Sequence, residues 1–523
     1  MSINPLGRTR LIRRVIMVPA TAFLVSACAV QPKPFTPEET AGRVVQDMAA
    51  MYADQEAVHG PITLAEASAR ALKYNLDHRL KLMEEAVALS ELDLSHYDLL
   101  PRVTAEAGYH HRSNKQGTLV SPGNSQSVST ERIHNTADLE MTWNVLDFGV
   151  SYIRAQQKAD MALMADERRR QVVHNILKDV RSAFWRVAAA ERSLPHLDAL
   201  SEKVQDALRK SEKLVAERLG NRVEHLTYQR ALLDTLSQLD ATRRDLLTAR
   251  QNLAALMNLR PGTSYSVSLD GIDFDTPPTF PLTVEQAESI ALYERAELRG
   301  EAYQTRVYAR EAKVGILQML PGLDFSVGAH YDDDRFLINS EWASLGSALT
   351  WNLLNVVRLP ATLDLADRKV ALSETRRMAL SMAITSQVHV AALRNVSARH
   401  QFELAQRRRE VEDQIGKAST AAREARRGSA LNAIRDEVLA VQARLRQDLA
   451  YADVQDAYGA LFATIGADPL PVIAEGPVTL AAATEALNRT FAAWQTGDLP
   501  EIDALVSVSD AVTIQSVDPA PTS

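Results

Sequence analysis

The chain has 523 residues, 46% hydrophobic and 24% charged, which excludes a wholly disordered chain and supplies enough apolar residues for a large core. Lysine and arginine number 58 against 66 acidic residues, a net charge of -8, which argues against a generally basic nucleic-acid-binding surface. The one cysteine, Cys28, excludes an intramolecular disulfide and a cysteine-based zinc or iron–sulfur centre.

Length alone predicts about three domains, but the chain order gives a more specific division. Residues 1–27 carry Arg8, Arg10, Arg13 and Arg14, then an apolar run over 15–25, then Ser26 and Ala27 before Cys28. This is the pattern of a bacterial secretion signal, and it looks like a lipobox, with Cys28 as the lipidated first residue of the mature protein. Acyl chains contribute roughly 0.8 kcal/mol per buried CH₂, so several chains on one cysteine anchor a protein durably. Ala29 follows the cysteine where aspartate would favour inner-membrane retention in bacterial lipoproteins, so the outer membrane is the expected address. Residues 28–61 form the expected lipidated N-terminal segment.

An internal duplication follows. Leu64, Ala65, Glu66 and Ala67 are echoed by Val284, Glu285, Gln286 and Ala287, and the Leu100-Pro101 pair by Leu320-Pro321. Thr142, Trp143 and Asn144 return as Thr350, Trp351 and Asn352, and Gly220 returns as Gly428. The offset shortens between these pairs, so the first copy has a longer loop, assigned to residues 110–136. The copies span 62–260 and 282–468, joined by a linker at 261–281. Each copy reads as helix, strand, loop, strand, long helix, turn, helix.

Four strands carry period-two alternation. Val103, Ala105, Ala107 and Tyr109 alternate with Arg102, Thr104, Glu106 and Gly108; Leu139, Met141, Trp143 and Val145 alternate with Asp138, Glu140, Thr142 and Asn144. The second copy alternates from Leu323 to Tyr331 and again from Leu345 to Leu353, with Asp324 on the polar side of the first and Trp351 on the apolar side of the second. A soluble sheet alternates in the same way. Four strands of membrane-spanning length instead predict a barrel wall, with Trp143 and Trp351 facing lipid and Asp138, Glu140 and Asp324 facing a lumen. Because a sheet in lipid must close and four strands cannot close alone, several chains must contribute.

Residues 151–219 contain Pro195 as their single break signal, predicting on the order of 100 Å of helix with a bend near the proline. Val173, Ile176, Val180, Ala183, Val187, Ala190 and Leu194 recur at spacings of three and four, a coiled-coil seam that resumes at Leu197, Leu200, Val204 and Ala207 and continues as Leu246, Ala249, Leu253 and Leu256.

The duplicated helices at 64–80 and 282–298, the Leu-Pro pairs before the odd strands, the run from Trp143 to Gly149 and the matched glycines resemble the TolC family of bacterial outer-membrane efflux and secretion ducts. The resemblance covers about residues 62–467. It implies a mainly α fold with transmembrane β: a homotrimer in which each chain gives four strands to a 12-stranded barrel and its helices to a long coiled-coil tunnel. It further implies that Gly220 and Gly428 lie near periplasmic tips contacted by a membrane-fusion adaptor, which links the duct to an inner-membrane pump or secretion ATPase. Glu437, with Asp436 beside it, falls where the family keeps gate carboxylates, although Ile434 stands at an earlier acidic position. Asn355, Val356 and Val357 also depart from their counterparts Asp147, Phe148 and Gly149.

The chain has no Gly-rich phosphate loop or His-Glu-x-x-His motif, and the adjacent pair His110-His111 is weak evidence for a metal. No enzymatic activity and no cofactor are expected. Conduction would be passive, with an acidic lumen preferring cations. The rival reading is a non-transporting periplasmic coiled-coil lipoprotein scaffold. After residue 468 the repeat ends; residues 479–496 predict one helix, and the end of the 469–523 extension reads as disordered.

Overall fold

The computed structural model describes residues 32–53, 55–120, 125–217, 222–425, 427, 430–468 and 479–499. It divides into two units, Met1–Gln55 and Glu56–Ser523, and both copies of the duplicated region lie in the second. In the first unit, helix α1 (Pro37–Met51) has no buried residue and begins with a capping box between Thr36 and Glu39.

In the second unit, the first copy begins with α2 (Leu64–Tyr74) and α3 (Leu76–Tyr97), where the sequence predicts one helix. Asn75 makes the break. Its backbone is extended and its side-chain oxygen accepts from the amides of Asp77 and His78, so it caps a new helix. The second copy breaks at the matching residue, Arg295, between α6 (Val284–Glu294) and α7 (Ala296–Leu317). Arginine has no acceptor for a cap; its guanidinium instead binds Glu297 and the Thr464 carbonyl.

Strands β1 (Arg102–His111), β4 (Ile133–Asn144), β5 (Gly322–Asp332) and β6 (Glu341–Thr350) form one antiparallel sheet in the order β1-β4-β5-β6. The longer loop of the first copy is not irregular throughout. It folds into a second hairpin, β2 (Gln116–Val120) with β3 (Ser125–Thr130), and His110 and His111 lie on β1 rather than in the loop. β4 also ends one residue sooner than its alternation suggests. The Asn144 side chain accepts from the Asp147 amide and caps the next helix, making Val145 its first residue.

That helix, α4 (Val145–Ala216), runs for 72 residues and continues through Pro195. α5 (Arg222–Leu256) returns beside it. The predicted seam is buried at Val173, Ile176, Val180, Ala183, Val187 and Ala190, and again at Leu197, Leu200 and Val204. α5 meets it with Leu232, Leu239, Leu246 and Leu253, buried at an unbroken seven-residue spacing. The second copy repeats the plan with α8 (Leu354–Glu424) and α9 (Ala430–Ile465); Ile434, Val438 and Leu445 of α9 join the α4–α5 seam.

Polar contacts set the register between copies. Asp160 of α4, nearly inaccessible to solvent, accepts from Arg306 and Arg310 of α7, and Glu167 of α4 pairs with Arg299. Arg181 of α4 is buried without a carboxylate partner among the described residues; it donates to Gln455 and lies over the Tyr458 ring, and burial lowers its pKa.

The linker and tail complete the mid-body. Ile62 exchanges backbone hydrogen bonds with Ser266 and Ser268, bringing the linker back to the start of the first copy. The tail helix α10 (Leu480–Thr496), capped by Thr479, matches its predicted span. Leu480 and Leu487 enter one core with α2, while Trp494 enters another with α6 and α9. There the Trp494 ring stacks on Phe462, with centroids 4.4 Å apart and planes 2° from parallel. α10 therefore clasps the cores of both copies.

Candidate transport face and gate

The sheet has two chemically distinct faces. Cross-strand pairing aligns Leu139 with Ala105 and Ala329, and Met141 with Val103 and Val327, while Trp143 pairs with Phe325. These apolar positions on β4 and β5 are exposed, whereas the polar side chains of the alternate positions are half-buried. In water a half-buried sheet covers its apolar face. Here that pattern is inverted.

Asp138, Glu140 and Asp324 lie on the polar face, and Asn144 donates to Asp324 at 2.6 Å. Two histidines of the same face pair with carboxylates: His134 Nδ1 lies 2.9 Å from Asp332 Oδ1, and His330 Nδ1 lies 2.6 Å from Asp138 Oδ1. Trp143 lies on the apolar face, but Trp351 is one residue beyond β6 rather than on a strand. Its Nε1 donates to the Met319 carbonyl at 3.0 Å, and Leu353 already stands at the N-cap position of α8. β1 and β6 have no further strand on their outer edges among the described residues.

At the far end of the helices, Glu437 of α9 pairs with Lys203 of α4 and borders a groove that also includes Lys417 and Arg444. Asp436 is half-buried beside it. Farther along α9, burial raises the pKa values of Asp448 and Asp453, although Arg192 opposes the effect at Asp448 and Arg186 at Asp453. Gly220, Gly428 and Cys28 lie outside the described residues. Among the described residues no group of three or more potential metal ligands assembles.

The family model described as "Outer membrane efflux protein" matches residues 67–259. Those residues are an outer membrane efflux protein domain. The domain runs from α2 through the first two sheet strands and both long helices of the first copy; the second copy repeats its architecture. Comparison with curated proteins finds no significant sequence match.

Solved structures share the fold over about four-fifths of the chain. The Campylobacter jejuni CmeC outer membrane channel aligns with a TM-score of 0.63 and 12% identity, covering 84% of this chain and 93% of that one. The Neisseria gonorrhoeae MtrE outer membrane channel gives 0.61 and 14%, covering 77% and 88%. The Vibrio cholerae outer membrane protein VceC gives 0.58 and 12%, covering 77% and 96%. The chain thus has an outer-membrane channel fold, and the matched family consists of transport proteins rather than enzymes.

Proposed function

We propose that three copies assemble into an outer-membrane duct that passively conducts substrates delivered by an inner-membrane pump or secretion ATPase through a periplasmic adaptor. The observation that carries this reading is a sheet with an exposed apolar face and, among the described residues, two unpaired edges. In lipid, unpaired backbone groups cost several kcal/mol each, so β6 of one copy would pair with β1 of the next until the wall closes. A monomeric soluble scaffold gives no reason for the exposed apolar face.

Two apolar stripes support assembly along the helices. α3 exposes Leu80, Met83, Val87 and Leu94 at spacings of three, four and seven, and α8 exposes Leu365, Leu372, Met382, Leu393 and Val396. Such stripes fit seams between copies. Within this assembly, Gly220 and Gly428 would lie at the adaptor-contact tips, and Glu437 with Asp436 near the periplasmic gate. The Lys203 pair would restrain Glu437 in the subunit. Lipidation of Cys28 would add an anchor beside the barrel, with residues 1–27 removed as the signal.

Purified full-length protein in detergent is expected to have the mass of a trimer and to conduct in planar bilayers with a reversal potential favouring cations. A monomeric mass with no conductance would support the scaffold instead. Cys28→Ser should leave the trimer in the outer-membrane fraction, because the barrel does not depend on acyl chains; release of the variant as a soluble protein would contradict the barrel.

A further inference from the structure

His174, Leu177, Lys178 and Arg181 fall at helical spacing on one face of α4. Together with Gly459 and Ala463 of α9 and Phe491 and Trp494 of α10, they line a chamber of about 20 Å³. One water needs roughly 10 to 15 Å³, whereas a drug-sized ligand needs about 300 Å³ or more. The chamber therefore suits a single water or a monatomic ion.

Its chemistry is one-sided. The polar side chains on the α4 wall are all nitrogen bases, and no side chain that lines the chamber carries an oxygen. Arg181 is the decisive member, with only 8% of its surface accessible. One terminal nitrogen, Nη2, donates to Gln455 at 2.9 Å, but the buried Nε has no hydrogen-bond partner. Gly459 permits this placement, since a Cβ there would collide with Cδ of Arg181 and stand 3.3 Å from Nε.

The rings around the guanidinium do not complete its bonding. Its carbon lies 5.0 Å from the Tyr458 ring centroid and 5.7 Å from that of Phe491, which offsets part of the charge but offers Nε no acceptor in line. The buried Nε2 of His174 likewise has no hydrogen-bond partner, with Asp468 Oδ1 at 3.6 Å. The carboxylates that pair with these bases stand outside the lining: Asp179 lies 3.4 Å from Lys178, and Asp468 is shared with Arg170.

A buried charge is costly unless it is paired, and a buried N–H without an acceptor calls for a small one. A water would satisfy Nε, but it would have to donate its own hydrogens where the lining side chains supply no oxygen, and it would leave the positive charge uncompensated. A small anion accepts from every donor and neutralises the guanidinium.

We propose that Arg181, with Lys178 and His174, binds one monovalent anion of halide size, chloride, beneath the tail helix. The site depends on nothing in the conduit reading. Because Phe491 and Trp494 form the α10 wall of the chamber, the bound anion would strengthen the docking of α10 on the rest of the body.

The test is the unfolding temperature of the full-length protein in detergent, followed by intrinsic fluorescence, in sodium chloride against sodium gluconate at equal ionic strength. Gluconate is too large for the chamber. The wild-type temperature should rise saturably with chloride, by about 2 °C or more at saturation. Arg181→Met keeps an apolar stem and removes the charge, a change that buried sites often tolerate; its unfolding temperature should be the same in both salts. Lys178→Ala should raise the half-saturating chloride concentration several-fold. Equal wild-type temperatures in the two salts, or an undiminished chloride response in Arg181→Met, would overturn the site. Should Arg181→Met fail to fold, crystals of the wild type grown in bromide decide: an anomalous peak beside Arg181 Nε supports the site, and its absence overturns it.

Discussion

Leu139→Arg is expected to remove the assembled protein from the outer-membrane fraction, whereas Glu140→Arg, one residue along the same strand, is expected to assemble. Leu139 is an exposed apolar residue at mid-strand with alanines directly opposite on both neighbouring strands. A guanidinium there has no neighbouring acidic partner in its row and would face hydrocarbon. Arginine on the lipid face near the bilayer midplane costs about 2 to 4 kcal/mol, and the cost recurs in every subunit. Glu140 lies on the opposite face, where charge reversal should reduce cation preference without preventing insertion. The measurement is immunoblotting of fractionated membranes, paired with reversal potentials for the Glu140 variant. Equal assembly of both variants with unchanged selectivity would mean that the faces have been assigned wrongly.

Trp494→Ala is expected to have the largest effect among substitutions outside the barrel. The ring is buried, stacks on Phe462 and carries the second half of the α10 clasp. Truncating a buried tryptophan typically costs about 3 to 5 kcal/mol, because the cavity adds to the lost burial. The variant oligomer should therefore dissociate at a clearly lower temperature in detergent, read by its migration after stepwise heating. Arg489→Ala is the matched control on the same helix. Arg489 is exposed and only loosely paired with Glu485 at 4.0 Å, so its removal should shift stability by less than about 0.5 kcal/mol. Equal dissociation temperatures for both variants would show that the tail is not a clasp.

The wall and the long helices were legible because their signals are local and periodic. Alternation at Leu139, Met141 and Trp143 identifies a face without knowledge of the neighbouring strand, and the three-four spacing from Val173 to Ala190 likewise identifies a seam. Features decided by pairing were hidden. The polar-face row of Glu106, Asp138, His330 and Trp342, each directly opposite the next, depends on the register of four strands drawn from both copies, and no local pattern aligns residues 106 and 342. The clasp by α10 depends on Phe462 and Trp494 meeting across a break in the repeat. Capping competed with alternation at Asn144 and with helix continuity at Asn75, and in each case a side-chain oxygen bonded to backbone amides decided the boundary. Trp351 illustrates the same limit: the alternation runs on past Thr350, but the chain has already turned toward α8.

The proposed gate carboxylates have a related basis. Asp436 and Glu437 are adjacent in sequence, yet the Lys203 pair distinguishes Glu437 and ties α9 to α4. A half-exposed surface ion pair of this kind contributes only about 0 to 1 kcal/mol. Such a contact is weak enough to exchange when neighbouring helices move, which would suit Glu437 to the proposed periplasmic gate.

The central claim is that one face of the sheet contacts hydrocarbon and the other contacts water. Two versions of the protein, each retaining one of its five tryptophans, test it directly in reconstituted vesicles. With Trp143 alone, fluorescence should be quenched by brominated phospholipids and protected from aqueous iodide. With Trp342 alone, the order should reverse. Lipid quenching of Trp342, or exposure of Trp143 to iodide with no response to bromine, would contradict a barrel wall.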